Sequence, residues 1–209
     1  MPTTKPPKTK PPTTKAPKSP SKKPSEPAAG ARAADARPTK AVALGPVARS
    51  AEGARRWLIK SEAEVYGIAD LERDAHTAWE GVRNYQARNF MRDGMRAGDL
   101  VLFYHSNAEP SGVAGVARVH GPALPDPTQF DATSEYFDGT SSASEPRWMM
   151  VPFAFVERFA EVVPLEVLKA DAALADMLVV QKGQRLSVQP VSGPHFARVL
   201  GLAGAQTKA

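Results

Sequence analysis

From Trp79 to Phe90 the chain reads Trp-Glu-Gly-Val-Arg-Asn-Tyr-Gln-Ala-Arg-Asn-Phe. Aromatic rings are interleaved with two arginines and two asparagines, and there is no aliphatic run. A buried strand or an ordinary core helix has little use for that mixture. A surface that stacks a base and holds a phosphate uses all of it. Three other segments set polar side chains beside apolar runs: Lys60-Ser61-Glu62, Tyr104-His105-Ser106-Asn107, and Gln184-Arg185-Leu186-Ser187. Polar groups clustered at strand ends are how a rigid scaffold presents a site.

Positioning these groups requires a mixed set of elements. Trp57 to Lys60 reads as a short apolar strand, Gly67 to Arg73 as a short helix, and Thr77 to Trp79 as a second strand. Asn84 can cap a helix running to Arg92, with Gly94 ending it. On that helix Tyr85, Arg88, Asn89 and Arg92 fall on one face at spacings of three and four residues. Such a face suits the phosphates beside a bound nucleotide. Asp99 to His105 and Gly112 to Val119 read as strands, the latter bent or closely approached by backbone at its glycines. Residues 121–146 form a long loop rich in Pro, Asp, Ser and Thr, and a loop of that length is functional or mobile. Trp148 to Val163 is a long strand region, followed by short helices at Pro164–Lys169 and Ala172–Met177 and a strand at Leu186–Val188. Ser192 caps a last helix with Phe196, Val199 and Leu200 inward. Strands with short helices between them, and no regular βαβ alternation, indicate an α+β fold around a curved sheet or small barrel.

Plainer roles compete for the same residues. Trp57, Trp148 and Phe90 suit a core. Arg83 can pair with Glu80, and Arg88 or Arg92 with Asp93. His195 reads as a surface or cap residue, and His76 and His120 as incidental.

Composition divides the 209 residues in two. Residues 1–54 hold eleven of the twenty prolines and none of the fifteen aromatics. They carry eleven Lys/Arg against three Asp/Glu, a formal charge of +8. Such a segment cannot bury enough apolar surface to offset its ordering entropy, which predicts a disordered tail. Its Lys/Pro/Thr repeats predict a solvated linker or a polycation acting through counterion release. Residues 55–209 hold 16 basic and 19 acidic residues, a formal charge of −3, so the sequence pI of about 9.5 belongs to the tail. A nucleic-acid site in the folded part, residues 55–204, must therefore be a local patch. No cysteine is present, which removes disulfides and thiolate chemistry. No run approaches the roughly 20 apolar residues of a membrane span. The expectation is a soluble intracellular protein without cofactor or metal, cytoplasmic or nucleoid-associated in a bacterium and nuclear in a eukaryote.

Trp57-Leu58-Ile59-Lys60-Ser61-Glu62, Trp79 to Phe90, Gly98-Asp99 and Phe103-Tyr104-His105-Ser106 together resemble an EVE domain. Gly112 to Ala117, Pro125 to Phe130, Pro146-Arg147-Trp148 and Arg185 to Val188 extend the likeness from about Arg56 to Leu202. Ala63 departs from it, standing where the family commonly has proline. The resemblance implies a PUA-like bent β-barrel with flanking short helices. It also implies a reader of modified bases, such as methylcytosine in DNA in preference to RNA, that accepts a flipped base as the similar YTH domains do. On that likeness Trp79 is a cage residue, Lys60, Ser61 and Glu62 form a rim, Val82, Arg83 and Asn84 line the following loop, and Tyr104, His105 and Ser106 make the opposing wall. Tyr85, Arg88, Asn89, Arg92 and Arg185 are expected on the nucleic-acid backbone. Energetics agree that one ring does not suffice. Flipping a base costs a few kcal/mol and one aromatic face returns roughly 1–3, so a second wall and edge hydrogen bonds are needed. The competing expectation is a small amidohydrolase acting on a modified nucleoside, as in ASCH-type relatives, with Lys60, Ser61, Glu62 and Tyr104 or His105 as base and nucleophile.

Overall fold

The computed structural model describes residues 55–209. The expected tail, residues 1–54, lies outside the described residues.

Among the described residues, seven strands form one bent, mixed sheet: β1 (Arg56–Glu62), β2 (His76–Trp79), β3 (Leu100–Ser106), β4 (Gly112–Val119), β5 (Leu124–Pro125), β6 (Met149–Pro164) and β7 (Val188–Val191). The order is β2-β6-β4-β3-β1-β7, with β5 on the side of β6. Only β1 and β3 run parallel, so their C-terminal ends, Glu62 and Ser106, finish side by side. The bend has visible causes. Register shifts interrupt the β3–β4 pairing at Phe103/Tyr104 and the β4–β6 pairing at two places. A Cβ on Gly112 would lie 2.2 Å from the Val163 carbonyl oxygen, and one on Gly115 would lie 2.4 Å from that of Glu157. These glycines admit the crossing backbone of β6, as the small-residue pattern of that strand predicts. The fold is the expected α+β arrangement of the PUA-like class.

Four helices flank the sheet: α1 (Ile68–Asp74), α2 (Tyr85–Asn89), α3 (Leu165–Ala170) and α4 (Gly193–Ala203). Asn84 caps α2 through Oδ1, which accepts from the Gln86 and Ala87 amides, and Ser192 caps α4. The helix expected to run to Arg92 instead passes at Phe90 into a π-helical turn ending at Gly94. Gly94 is there for space: a Cβ would sit 2.7 Å from the Trp57 indole. The expected helix at 172–177 is a single 3₁₀ turn at Ala172–Leu174, with a second following at Leu178–Val180, and the last strand begins at Val188, not Leu186.

Strand alternation sorts the core into two layers. Val101 and Phe103 join Trp57, Ile59, Trp79, Met91, Phe153 and Val188 on one face. Leu100, Leu102 and Tyr104 join Leu58, Val116, Leu168, Phe196 and Val199 on the other. Trp79 is 1% exposed, its ring edge-on to Phe103 and Phe153 at 5.7 Å. His105 follows Phe103 on the first face and caps α1: Nε2 accepts from the Ile68 amide at 3.0 Å. Burial pushes its pKa below the ordinary 6.5, and accepting that bond requires the neutral ring.

The segment 121–146 is organised by two buried polar residues. Asp126 Oδ2 accepts from the Gly81 amide and Arg83 Nη1, while Oδ1 accepts from the Thr128 amide and hydroxyl. Gln129 Nε2 donates to the Asp126 and Trp148 carbonyls, and its Oε1 accepts from the Arg147 and Trp148 amides and the Ser141 hydroxyl. Long as it is, this connection is held at both ends. No helix among the described residues is long and apolar enough to cross a membrane.

Truncating Trp79 to Ala removes a fully buried ring from the first layer and is expected to lower unfolding stability by about 3–5 kcal/mol, measured by urea denaturation. His105, whose folded pKa is depressed, contributes stability that is present above about 6.5 and is lost as the pH falls from there through its folded value. Denaturation midpoints are therefore expected to drop from pH 7 to 5, with a shallower slope in His105→Gln.

Candidate nucleic-acid interface

Tyr85 opens α2 and points outward, 52% exposed. The Asn84 cap fixes where the helix starts and hence where this ring emerges. Its inner face meets Trp148, with centroids 4.8 Å apart and a tilt of 32°. Arg88, one turn on, lays its guanidinium 4.9 Å over Tyr85 and 5.9 Å over Trp148. Arg83 covers the far side, 5.4 Å from Trp148 and 5.3 Å from Tyr136. Arg147 reaches the Tyr85 hydroxyl at 3.4 Å. The result is a platform of stacked rings bracketed by three arginines.

The three cations differ in how they are balanced. Arg83 pairs with the buried Asp126 at 2.7 Å and also donates to the Tyr136 carbonyl and the Thr128 hydroxyl. It is a structural clamp, paired with Asp126 and not with the expected Glu80. Arg147 lies 3.9 Å from Asp138. The Asp138 carboxyl is pulled down to about 2, first by the Thr140 hydroxyl and amide and then by the Trp148 indole N–H, so it stays anionic. Arg88 donates only to neutral oxygens: the Arg147 carbonyl and Asn89 Oδ1. Among the described residues no carboxylate lies within ion-pair distance of Arg88. It is the platform's uncompensated charge, already oriented over an exposed ring. Such a surface can stack a base and receive a phosphate.

The sequence-expected pocket is arranged differently. Trp79 and Tyr104 do not face each other, because β3 alternates and the two rings belong to opposite layers. Trp79 is walled in by Phe103 and Phe153, and Val82 is buried beside it. The Ser61 hydroxyl is also buried and donates to the Tyr66 carbonyl at 2.7 Å, closing the turn after β1. Arg83 and His105 are spent on the internal contacts given above. These five residues hold the scaffold, and their polar or aromatic character is consumed by packing and capping.

Other expected residues do converge. Lys60 on β1 pairs with Tyr104 on β3, and its amide donates to the carbonyl of Ser187, just before β7. Lys60 Nζ donates to the Gln184 carbonyl and lies 5.9 Å over the Tyr104 ring. Burial lowers the Lys60 pKa and raises that of Tyr104. The buried Ser187 hydroxyl has no hydrogen-bond partner. At the strand tips Asn107 donates to Glu62 at 3.0 Å, next to Ser106. Arg185 is exposed on the adjacent loop, and Asn89 is exposed at the end of α2. Arg92 ion-pairs with Asp93 at 2.7 Å, the plainer of its two expected roles.

Sequence reasoning missed Trp148, Tyr136, Asp138 and Arg147 as parts of the platform. Trp148 was assigned to the core, and its residual 6% exposure fits that, but its indole carries the stack. The adjacent Arg147-Trp148 pair, the same aromatic-plus-arginine mixture as in α2, was the available signal.

The EVE domain family matches residues 55–202. Thymocyte nuclear protein 1 of Homo sapiens is 38% identical over 165 residues, covering 70% of this chain and 72% of that protein. The Gallus gallus counterpart is 38% identical over 164 residues, covering 70% and 67%. The crystal structure of human THYN1 in complex with 5-methylcytosine-containing DNA has 36% identity and a TM-score of 0.67, covering 75% of this chain and 100% of that one. A Pseudomonas syringae protein has 42% identity and a TM-score of 0.68, covering 71% and 99%. By sequence and by fold, this chain belongs to the EVE domain family.

Proposed function

We infer that the protein binds DNA and reads a modified base, with modified cytosine as the favoured target. The observation that carries this is the exposed Tyr85 ring, stacked on Trp148 under the uncompensated guanidinium of Arg88. The human relative in complex with 5-methylcytosine-containing DNA supports the choice of ligand. Tyr85 stacks on a base of the bound strand, and Arg88 and Arg147 hold its phosphates. Asn89 and Arg185 extend the backbone contact. Discrimination is assigned to the ends of β1 and β3, where Lys60, Tyr104 and Gln184, with Glu62 and Asn107 at the rim, offer donors and acceptors to a flipped base edge. Because residues 55–209 carry −3 and residues 1–54 carry +8, the tail supplies bulk attraction and the patch supplies position.

A second reading rests on a separate observation. The half-buried Lys60, its amine pKa lowered by burial, is the backbone neighbour of Ser187, whose hydroxyl has no hydrogen-bond partner. That pairing is suited to hydrolysis of an acylated nucleoside. Incubation with modified nucleosides followed by mass spectrometry separates the two readings, because turnover changes a mass and binding does not.

Tyr85→Ala is expected to weaken oligonucleotide binding by about 1–3 kcal/mol, roughly 5- to 150-fold, by fluorescence anisotropy. Arg88→Gln is expected to reduce the slope of log affinity against log salt by about 1. In the same assay Lys60→Gln is expected to bring 5-methylcytosine and unmodified DNA to equal affinity. Equal affinity for the two DNAs in the unaltered protein would sink the reading.

A further inference from the structure

Beyond the platform, between the π-helical turn and the start of α4, lies a cavity of about 740 Å³. Its size falls within the roughly 300–1,000 Å³ of small-ligand sites. Its lining divides by chemistry. Arg55 brings a cation to one side, while Phe90, Pro190 and Val191 give an apolar floor; the Arg56 guanidinium lies 5.9 Å over the Phe196 ring. Arg55 Nη1 lies 3.8 Å from where a Gly94 Cβ would stand, so its guanidinium is turned toward this floor. The one acidic residue of the lining, Asp93, is already paired with Arg92 at 2.7 Å. Asn89 closes the rim, and its Oδ1 is held by Arg88. The cavity therefore adjoins the Tyr85–Arg88 platform through a shared residue.

This chemistry selects among occupants. Residues 1–54 carry +8, the same sign as Arg55, so the chain's own tail is a poor fit. A bare anion would leave the apolar floor uncovered. A nucleotide satisfies both sides: a flat base on Phe90 and Pro190, and a phosphate at Arg55.

We propose that this cavity is a second nucleotide-binding site, which holds a neighbouring nucleotide of the strand engaged by Tyr85. The proposal rests on the nucleic-acid reading above. It gives the domain a footprint of two adjacent subsites: the platform, and a cavity indifferent to base modification.

Gly193 allows a direct test. A Cβ there meets nothing within 4 Å and its backbone is outside the left-handed region, so Gly193→Phe adds bulk at the cavity without strain. In NMR titrations of the full chain, deoxycytidine 5′-monophosphate is expected to move the amide signals of Gly94, Val191 and Gly193. Deoxycytidine or inorganic phosphate alone should act about tenfold more weakly. Gly193→Phe should abolish the response and weaken binding of modified and unmodified oligonucleotides alike, by about tenfold, leaving their ratio unchanged. Arg55→Glu, at an exposed position, should do the same if Gly193→Phe lowers the melting temperature. Unmoved signals, a response that survives both substitutions, or an equal response to inorganic phosphate would overturn the proposal. Loss of discrimination between modified and unmodified DNA with the nucleotide response intact would overturn only the reading of the platform.

Discussion

Asp126 is the group on which the rest of the surface depends. It is fully buried, yet both its oxygens are occupied by four donors from two separate parts of the chain. A buried carboxylate is tolerated only when it is paired and hydrogen-bonded in this way. What it joins is the turn after β2 to the start of the long connection between β5 and β6. Through Gly81 and Arg83 it fixes the approach to α2, and through Thr128 and Gln129 it fixes the approach to Trp148. Tyr85 and Trp148 are 63 positions apart in the chain, and this carboxylate network brings them into contact. Without it the exposed ring would have no backing and Arg88 no carbonyl to rest on.

Much of the scaffold was legible in the sequence. The apolar runs at Trp57–Lys60 and Asp99–His105 became β1 and β3, the caps Asn84 and Ser192 start the helices they were expected to start, and the glycines of β4 are where backbones cross. Strand and cap signals are local, so they survive without tertiary information. The pocket fared less well because facing is not a local property. Tyr104 and Phe103 are adjacent in sequence and lie in opposite core layers, and no composition argument says which of them Trp79 will meet. Ser61 and Arg83 look the same in sequence whether their polar groups meet a ligand or the Tyr66 carbonyl and Asp126. The platform was half legible: the α2 contribution was expected, and its partner, the Arg147–Trp148 pair, was hidden by the length of the loop before it.

The distribution of charge gives the surface its character. A domain of net negative charge repels a polyanion at long range and cannot use bulk attraction to find it. Arg83 and Arg147 are held near carboxylates, so the unbalanced charge of the platform falls at Arg88. One fixed cation over one exposed ring favours geometry over strength. The +8 carried by residues 1–54 complements this, attracting any polyanion without choosing among sequences.

The π-helical turn at Phe90–Gly94 limits the reach of that geometry. Its wider winding swings the chain after Asn89 out of the row begun by Tyr85 and Arg88, and Arg92 is left paired with its neighbour Asp93. The usable face of α2 is thus a single turn, about 5.4 Å long, against a rise of about 3.4 Å per nucleotide along a duplex strand. A straight helix would have offered a rail along which a strand could slide. For the role proposed above, this one offers a stop, long enough for one or two nucleotides, which favours dwelling at a point over travelling along a groove.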